Sequence, residues 1–521
     1  MTRTTMQKLF FYLSLIFFTG LIGCSQREDL SKTLCLHFDS DPTTLDPALM
    51  TDVKSGKLSA LLYDTLLQYN ENLTLHPALA RSWKISKDGK IYTFFLRKNM
   101  RFQDGIPLTA EDIVFSLERL AHPSTLSPRA WILSHVEGFQ AFRSRENNHL
   151  TGLEIKTPLI ITIRLEEPFS PFLSLLTLPN ASILSKKAFE ENKSFMGTGP
   201  FLLDHWRHDY EILLKSNPLY YQGKAKIEKI RFRMIKETLF VSSEFKRGHL
   251  DLIDIPGPEI SLYLEDPKWK DKIIEQKNLS LYYLGLNMRR SPFISLEYRR
   301  AVTQAIDTAS IIQSLRKNRS LPVNGPIPPG VFGYNKDLST LPFNSYRARQ
   351  ILQSSSQIRQ ELVLLESTNE ETREIAEAIQ AQLEKIGIHV KIVEEEWSSF
   401  KMSLAQGNFD LCLMSWWADY PEGENFLYPL FHSSNIGAGG NYTGLHNPEI
   451  DQLIEKLQRT TSIKRRLKLY RSIQKKILKE CPMVFLYSSV SPLVKQPWID
   501  PVIAHPLYNG NKFLQIEKRP H

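Results

Sequence analysis

An aspartate follows directly on one of the most apolar stretches of this sequence. Residues 411–418 are aliphatic and aromatic almost throughout, as is typical of a mostly buried strand, and Asp419 comes next. An ionised carboxylate in such a place is unfavourable unless a positive charge or hydrogen-bond donors meet it. Two interpretations remain open. Asp419 opens a turn, since Asp-Tyr-Pro-Glu-Gly has turn composition, or its carboxylate binds a cationic ligand.

Motifs of common enzyme classes are absent from the sequence. It contains no HExxH zinc motif, no GxSxG nucleophile elbow and no P-loop. The 13 histidines are scattered, and Cys35, Cys412 and Cys481 do not have the spacing of metal ligands. We therefore expect a protein that is not an enzyme and that has no metal site and no cofactor.

The N-terminus has the pattern of an export signal. Residues 1–8 contain two basic residues and no acid, and residues 9–22 are almost entirely apolar. This stretch has the length of a signal-peptide core and is shorter than a membrane span. It ends in Leu-Ile-Gly-Cys-Ser at 21–25, which resembles the lipobox of bacterial lipoproteins. The resemblance implies that Cys24 is lipidated and becomes the mature N-terminus.

Length and composition are those of a globular protein with several domains. A chain of 521 residues is too long for one ordinary core, so two or three domains are expected. Leaving out the two basic residues of 1–8 reduces the net charge from +9 to +7, and the basic residues are interspersed with acids. This charge indicates a solvated surface, and we expect no nucleic-acid partner.

Strands and helices alternate along the predicted chain. Residues 361–365 and 388–393 are predicted strands, and Thr368 with Glu371 forms a predicted capping box for the helix between them. The buried face of this helix is predicted to contain Ile375, Ile379, Leu383 and Ile386. A strand, a helix and a strand form a βαβ unit, so a parallel sheet is expected. Residues 411–418 add a strand here, and open α/β sheets hold ligands at such strand ends.

Further elements have clear signals. Residues 33–38 and 90–96 are predicted strands, residues 57–67 a helix, and Thr109 caps another helix with an acid three residues later. Residues 462–480 are predicted to form a basic helix whose charges lie on its solvated side. Those charges are Lys464, Arg465, Arg466, Lys468, Arg471, Lys475, Lys476 and Lys479. The predicted buried face is Ile463, Leu467, Tyr470, Ile473 and Ile477.

Motifs spread over nearly the whole mature chain occur in a specific order. They are PTTLDPA at 42–48, PALARSW at 77–83, DGIPLTAED at 104–112, GTGPF at 197–201 and RRAV at 299–302. In this order and spacing they resemble the oligopeptide-binding lipoproteins of bacterial ABC peptide transporters, solute-binding protein family 5. The block from 77 to 112 is the most specific part of the match.

The resemblance implies an α/β fold of the periplasmic-binding-protein type, in which two lobes close on a ligand and an extra third domain is present. The implied boundaries are a signal peptide at 1–23, a first lobe at 24–63, 188–279 and 491–521, an extra domain at 64–187 and a second lobe at 280–490.

The same resemblance assigns ligand contacts. WWADY at 416–420 falls where the family has a short segment whose aspartate binds the peptide α-ammonium, which implies this role for Asp419. Trp416, Trp417 and Tyr420 are expected to form walls around a peptide held extended through its backbone. Packing within the core explains at least one of these aromatic residues equally well.

The carboxylate end of the ligand is left without a matching partner. The basic residues that relatives use for it align with Thr372, Leu404 and Leu413. Arg129 aligns with a tyrosine that lines the relatives' cleft, and arginine suits bidentate binding of a carboxylate. Arg373 and Lys401 are the next candidates. An ordinary surface charge is the alternative for all three basic residues.

The implied function is capture of short peptides, with cell-wall peptides as one candidate cargo, and their delivery to an ABC permease. The protein is expected to be a monomer in the cell envelope, anchored to the membrane by lipid and facing the periplasm or the exterior. Two alternatives remain open: a nickel or metal-chelate binder of the same family, and an adhesive or structural lipoprotein without a transport role. Binding of a peptide of defined length would count against both.

Overall fold

The computed structural model describes residues 30–191, 193, 196–316, 319–353 and 361–520. The predicted signal segment and Cys24 lie outside the described residues. Strands and helices alternate along the chain, as predicted, and most strands belong to three larger sheets. No helix in these ranges is both long enough and apolar enough to cross a membrane.

The strands are β1 Thr33–Phe38, β2 Leu67–Tyr69, β3 Leu75–Pro77, β4 Ala80–Ile85, β5 Ile91–Leu96, β6 Leu153–Thr157, β7 Ile160–Arg164, β8 Phe201–Arg207, β9 Glu211–Ser216, β10 Lys229–Met234, β11 Leu252–Asp254, β12 Ile273–Lys277, β13 Ser280–Leu286, β14 Ser320–Pro322, β15 Leu362–Ser367, β16 Val390–Glu395, β17 Leu411–Trp417, β18 Met483–Lys495, β19 Ile499–Asp500 and β20 Glu517–Lys518.

The α-helices are α1 Val53–Leu62, α2 Ala110–Ala121, α3 Phe139–Arg143, α4 Phe172–Leu175, α5 Lys186–Glu190, α6 Thr238–Lys246, α7 Ile260–Glu265, α8 Leu296–Ala305, α9 Thr308–Leu315, α10 Ser345–Gln353, α11 Glu370–Glu384, α12 Trp397–Gln406, α13 Glu424–Phe431, α14 Pro448–Arg459 and α15 Ile463–Glu480.

The first sheet has the order β1-β10-β9-β8, and its first pair is parallel. Strand β1 coincides with the predicted strand at 33–38. Helix α1 packs its buried leucines, Leu58 and Leu61, into the core of this sheet beside Leu34 and Phe38. This helix begins earlier than predicted because Asp52 caps it, accepting a hydrogen bond from the Ser55 N–H at 2.9 Å. The first sheet and α1 thus form one packed unit.

A separate antiparallel sheet has the order β4-β5-β7-β6. Its core consists mainly of apolar residues between 66 and 183. Strand β5 alternates between buried and half-buried side chains, the pattern of a strand with one covered face, as predicted for 90–96. Helix α2 starts after Thr109, and the Asp112 carboxylate accepts the Thr109 N–H at 2.9 Å, which confirms the predicted cap.

The largest sheet contains the predicted parallel unit. Strand β15 pairs in parallel with both β16 and β17, which confirms the βαβ prediction and makes the strand before Asp419 part of the same sheet. Strand β17 then pairs antiparallel with β13. Ile375, Ile379 and Leu383 of α11 are buried in the core of this sheet, as predicted, and so is Ile386, which follows the end of the helix.

The predicted capping box at Thr368 and Glu371 is wrong. The side chain of Asn369 caps α11 instead, accepting the Thr372 N–H at 3.2 Å. Thr368 is unavailable because its N–H and hydroxyl both donate to the Glu395 carbonyl, which extends the pairing of β15 with β16. Asparagine serves well as an N-cap, so the helix starts one residue later than the box implied.

The solvated position predicted for Arg466 is also wrong. Arg466 is buried, and its guanidinium pairs with the Glu422 carboxylate from the segment that follows β17. Conversely, Ile463 and Leu467, which were predicted to be buried, are exposed. Tyr470, Ile473 and Ile477 are buried as predicted, so the difference lies in the first turns of the helix, where Glu422 compensates the buried charge of Arg466.

Strand β18 is shared by two groups of strands. Its first part, residues 483–489, pairs with β13 and β14, whereas residues 490–495 pair with β11 and β12. The chain therefore passes from one group to the other near residue 490, and again between β12 and β13. The domain boundaries implied by the resemblance remain a prediction.

Candidate binding site

A cavity of about 520 Å³ opens between the first sheet and the end of β17. Its walls come from β1, α1, β11, the loop at 505–513 and the segment from Trp417 to Asp419. The volume lies within the range of ~300–1,000 Å³ that is usual for small-ligand sites. Elements distant in sequence therefore meet around a space suited to a small molecule or a short peptide.

One face of α1 forms part of the cavity wall. Val53, Lys57 and Leu61 are each four residues apart, so they lie on the same side of the helix, and all three line the cavity. The opposite wall approaches closely at Gly56. A Cβ atom there would lie 2.3 Å from the ring of Tyr508, so glycine is what allows the 505–513 loop to pack on α1.

Asp419 lines the cavity immediately after β17 ends. Its N–H donates to the Asn425 side chain at 2.9 Å, which fixes the backbone, and its carboxylate remains 25% exposed. The guanidinium of Arg129 lies 3.6 Å from that carboxylate. Burial raises the pKa of Asp419, and the positive charge of Arg129 opposes that rise. In this structure, Arg129 supplies the positive charge that the sequence required beside Asp419.

Arg129 reaches the cavity from the loop that precedes Trp131. Its N–H donates to the Ser127 hydroxyl at 3.1 Å, and that hydroxyl donates to the Ala48 carbonyl at 2.5 Å. The loop is therefore tied to the chain segment that leads into α1. Because Arg129 contacts Asp419, the two residues predicted to bind opposite ends of the ligand are neighbours here, although an extended peptide separates its ends by ~3.5 Å per residue. Both roles stay predictions.

The three predicted aromatic residues occupy different environments. Trp417 lines the cavity and is 49% exposed, whereas Trp416 points to the other face of β17, as neighbours in a strand do. The Trp416 indole donates to the Asn425 carbonyl at 2.8 Å. Tyr420 is buried in the core of residues 66–183, and its hydroxyl donates to Glu424 at 2.7 Å. The structure therefore brings Trp417 alone of these three to the cavity wall.

Neither further candidate for the ligand carboxylate lines the cavity. The guanidinium of Arg373 lies 3.4 Å from Glu366 and 3.3 Å from Glu394. Lys401 donates to the Tyr442 hydroxyl at 2.5 Å. The aligned positions Leu404 and Leu413 are buried, and the N–H of Thr372 takes part in the cap of α11.

Several residues of the cavity wall were missed from the sequence. They include His37 in β1, Lys57 in α1, Asp254 in β11 and Tyr508 in the last loop. Lys57 is the first residue of the predicted helix, and nothing in the local sequence marked it as a cavity residue. The other three residues meet only through tertiary structure. No three His, Cys, Asp or Glu side chains lie close enough to hold a metal ion within the described ranges.

Known proteins match this chain over nearly its whole length. The dipeptide-binding protein DppE of Bacillus subtilis is 26% identical over 94% of this chain and 95% of its own length. The unliganded open form of MppA, a periplasmic murein tripeptide binding protein, superimposes with a TM-score of 0.81, at 25% identity over 94% of this chain and 98% of MppA. Helicobacter pylori DppA in complex with the peptide STSA gives 0.76 at 27% identity, over 94% and 98% of the two chains.

These matches confirm the predicted α/β fold of the periplasmic-binding-protein type. The model of the bacterial extracellular solute-binding proteins, family 5 middle, matches residues 74–438, well over half of the 521 residues. That range contains Arg129 and Asp419, the ion pair at the cavity wall. The chain is a member of the bacterial extracellular solute-binding proteins of family 5.

Proposed function

We propose that this protein captures short peptides outside the cytoplasm by binding their α-ammonium at Asp419, and delivers them to an ABC permease. The observation that carries the proposal is a half-buried carboxylate placed at a cavity of peptide size, at the C-terminal end of a parallel-sheet strand. Trp417 is the proposed apolar wall beside the ammonium. The names of the relatives DppE and MppA support peptides as the ligand class.

An ammonium would replace the guanidinium of Arg129 as the partner of Asp419. Both groups carry one positive charge, so the exchange keeps the carboxylate compensated as the two proposed lobes close and water leaves. Arg129 would then be free to turn toward solvent or toward the ligand. In this proposal, Arg129 compensates the charge of Asp419 before the peptide binds, and the peptide ammonium then displaces it.

The proposed location is the cell envelope. Membership of an extracellular solute-binding family supports export, and the lipobox-like Leu-Ile-Gly-Cys at 21–24 supports a lipid anchor on Cys24. We propose that the protein acts as a monomer, with a first lobe at 24–63, 188–279 and 491–521, an extra domain at 64–187 and a second lobe at 280–490. Nickel or chelate binding is not favoured, because the relatives reported above are named for peptides.

Titration calorimetry with a free tripeptide and its N-acetylated form tests the proposal. Asp419→Asn should weaken binding of the free peptide by about two to four orders of magnitude, because removing one partner of a desolvated pair costs ~3–5 kcal/mol. Acetylation of the peptide should weaken binding to the parent similarly, and the two changes together should cost less than their sum. Asp254→Asn is the matched control, since it removes another carboxylate of the cavity and should keep the preference for the free ammonium. Equal affinity of the parent for both peptides would refute the role of Asp419.

A further inference from the structure

The charged side chains of the cavity fall into two groups. Burial raises the pKa of Tyr508, the charges of Asp419 and Asp52 raise it further, and the charge of Arg129 lowers it. Burial lowers the pKa of His37, Asp254 raises it, and Lys57 and Asp39 act in opposite senses. Asp419 and Arg129 thus act on Tyr508, whereas Lys57 and Asp254 act on His37, and all six residues line the cavity.

Lys57 differs from the other cation of the cavity in having no counter-ion. Arg129 is paired with Asp419, but the exposed Lys57 ammonium forms no ion pair with any residue that the structure describes. Its neighbour on the same helix, Lys54, lies outside the cavity wall and pairs with Asp39 at 2.8 Å. Lys57 is therefore the cavity cation that can accept an anionic group without breaking an existing pair.

Lys57 and Asp419 line the same cavity, whose volume of about 520 Å³ suits a short peptide. Lys57 reaches this cavity from α1, whereas Asp419 reaches it from the end of β17. Two or three extended residues span ~7–10 Å. A dipeptide or tripeptide bound through its ammonium at Asp419 would thus hold its C-terminal carboxylate within the cavity that Lys57 also lines.

We infer that Lys57 binds the C-terminal carboxylate of the captured peptide. This inference rests on the proposed peptide capture and extends it to short, free-acid peptides as the preferred ligand class. Asp254 also lines the cavity, and its negative charge opposes binding of a carboxylate, so the two side chains have opposite effects. The role is that of a specificity-determining residue, since it separates peptides with a free C-terminus from longer or blocked ones.

Calorimetric titration of the full chain with a free-acid tripeptide and its C-terminal amide tests this inference. Lys57→Met should weaken the free acid by about 10- to 100-fold, as expected for a hydrogen bond between charged groups, and should change the amide by less than about threefold. Lys57→Arg should retain most of the preference for the free acid. Asp254→Asn should have the opposite effect and increase the affinity for the free acid more than the affinity for the amide.

Lys54→Met is the matched control, because it removes the same charge from the same helix outside the cavity, and it should leave both affinities unchanged. Equal losses for acid and amide in Lys57→Met, or no loss, would overturn the assignment of Lys57 while leaving peptide capture intact. A parent protein that binds neither peptide would contradict the proposed function itself.

Discussion

Arg129 and Asp419 are nearly three hundred residues apart in the sequence, and their charged side chains lie 3.6 Å apart in the structure. The apolar strand before Asp419 predicted that the carboxylate needs a positive partner, and the structure supplies one within the protein. A ligand ammonium must therefore compete with Arg129. Because the ammonium binds the ionised carboxylate, the affinity for the peptide depends on the protonation state of Asp419.

We expect peptide affinity to decrease as the pH falls from 7 to 4. The ligand ammonium stabilises the ionised carboxylate, so the pKa of Asp419 is lower in the complex than in the free protein, and affinity is full only above the free-protein pKa. Burial raises that pKa, so the loss begins at a higher pH than for an exposed aspartate. Titration with a C-terminally amidated peptide checks this, since the amide carries no titrating carboxyl.

Two variants separate Asp419 from other titrating groups. Asp419→Asn should bind weakly with little dependence on pH over this range. Arg129→Leu should shift the loss of affinity to higher pH, because it removes the charge that lowers the pKa of Asp419. An unchanged pH profile in Asp419→Asn would show that another group controls the dependence.

Helices and strands with strong local signals were predicted well, and errors arose where a distant residue decides the outcome. The parallel β15–α11–β16 unit follows from hydrophobic periodicity, which acts within a few residues. Thr368 failed as a cap because β16 takes its hydrogen bonds, and Arg466 is buried because Glu422 meets it. The same limit applies to the site: Asp419 was recognisable from its own strand, whereas Lys57 and Tyr508 become neighbours through folding.

The buried pair of Arg466 and Glu422 should contribute strongly to the stability of α15. Arg466→Met should reduce the free energy of unfolding by ~3–5 kcal/mol, because it leaves the Glu422 carboxylate largely buried without its partner. Denaturant unfolding gives the difference. The neighbouring, exposed Arg465 provides the control, and Arg465→Met should change stability by no more than ~0.5 kcal/mol.

Replacing both partners tests the reason for the loss. Arg466→Met combined with Glu422→Gln should cost less than the sum of the single changes, since no unpaired charge remains. Additive losses would mean that packing of the arginine stem, and not its charge, stabilises this helix.

At the scale of the whole molecule, three packed units meet at the cavity, and β18 runs between two groups of strands. Because this strand is continuous, movement of one group relative to the other must be absorbed near residue 490 and at the turn between β12 and β13. The exported, anchored state proposed for the molecule depends on a residue outside the described ranges, Cys24.

Replacement of Cys24 by serine should abolish attachment of lipid and release the mature protein from the membrane fraction. The cysteine thiol is the group that carries the lipid in a lipobox. Serine has a side chain of similar size but no thiol. Metabolic labelling with a fatty acid, followed by fractionation, checks the expectation. Labelling of the Cys24→Ser protein at the level of the parent would contradict the lipoprotein assignment; Cys35→Ser, at a buried thiol, is the control that should remain labelled.

The burial of Tyr420 in the core of residues 66–183 has a kinetic consequence. Tyr420 adjoins Asp419, and Arg129 comes from the same unit as that core, so the ammonium end of the cavity is packed against this unit. Lys57 belongs to the unit built on the first sheet. Under the proposals above, a bound peptide would contact both units once the lobes close, and the Lys57 contact would slow its release. Peptides that differ only at the C-terminus would then have similar association rates and differ in their residence times.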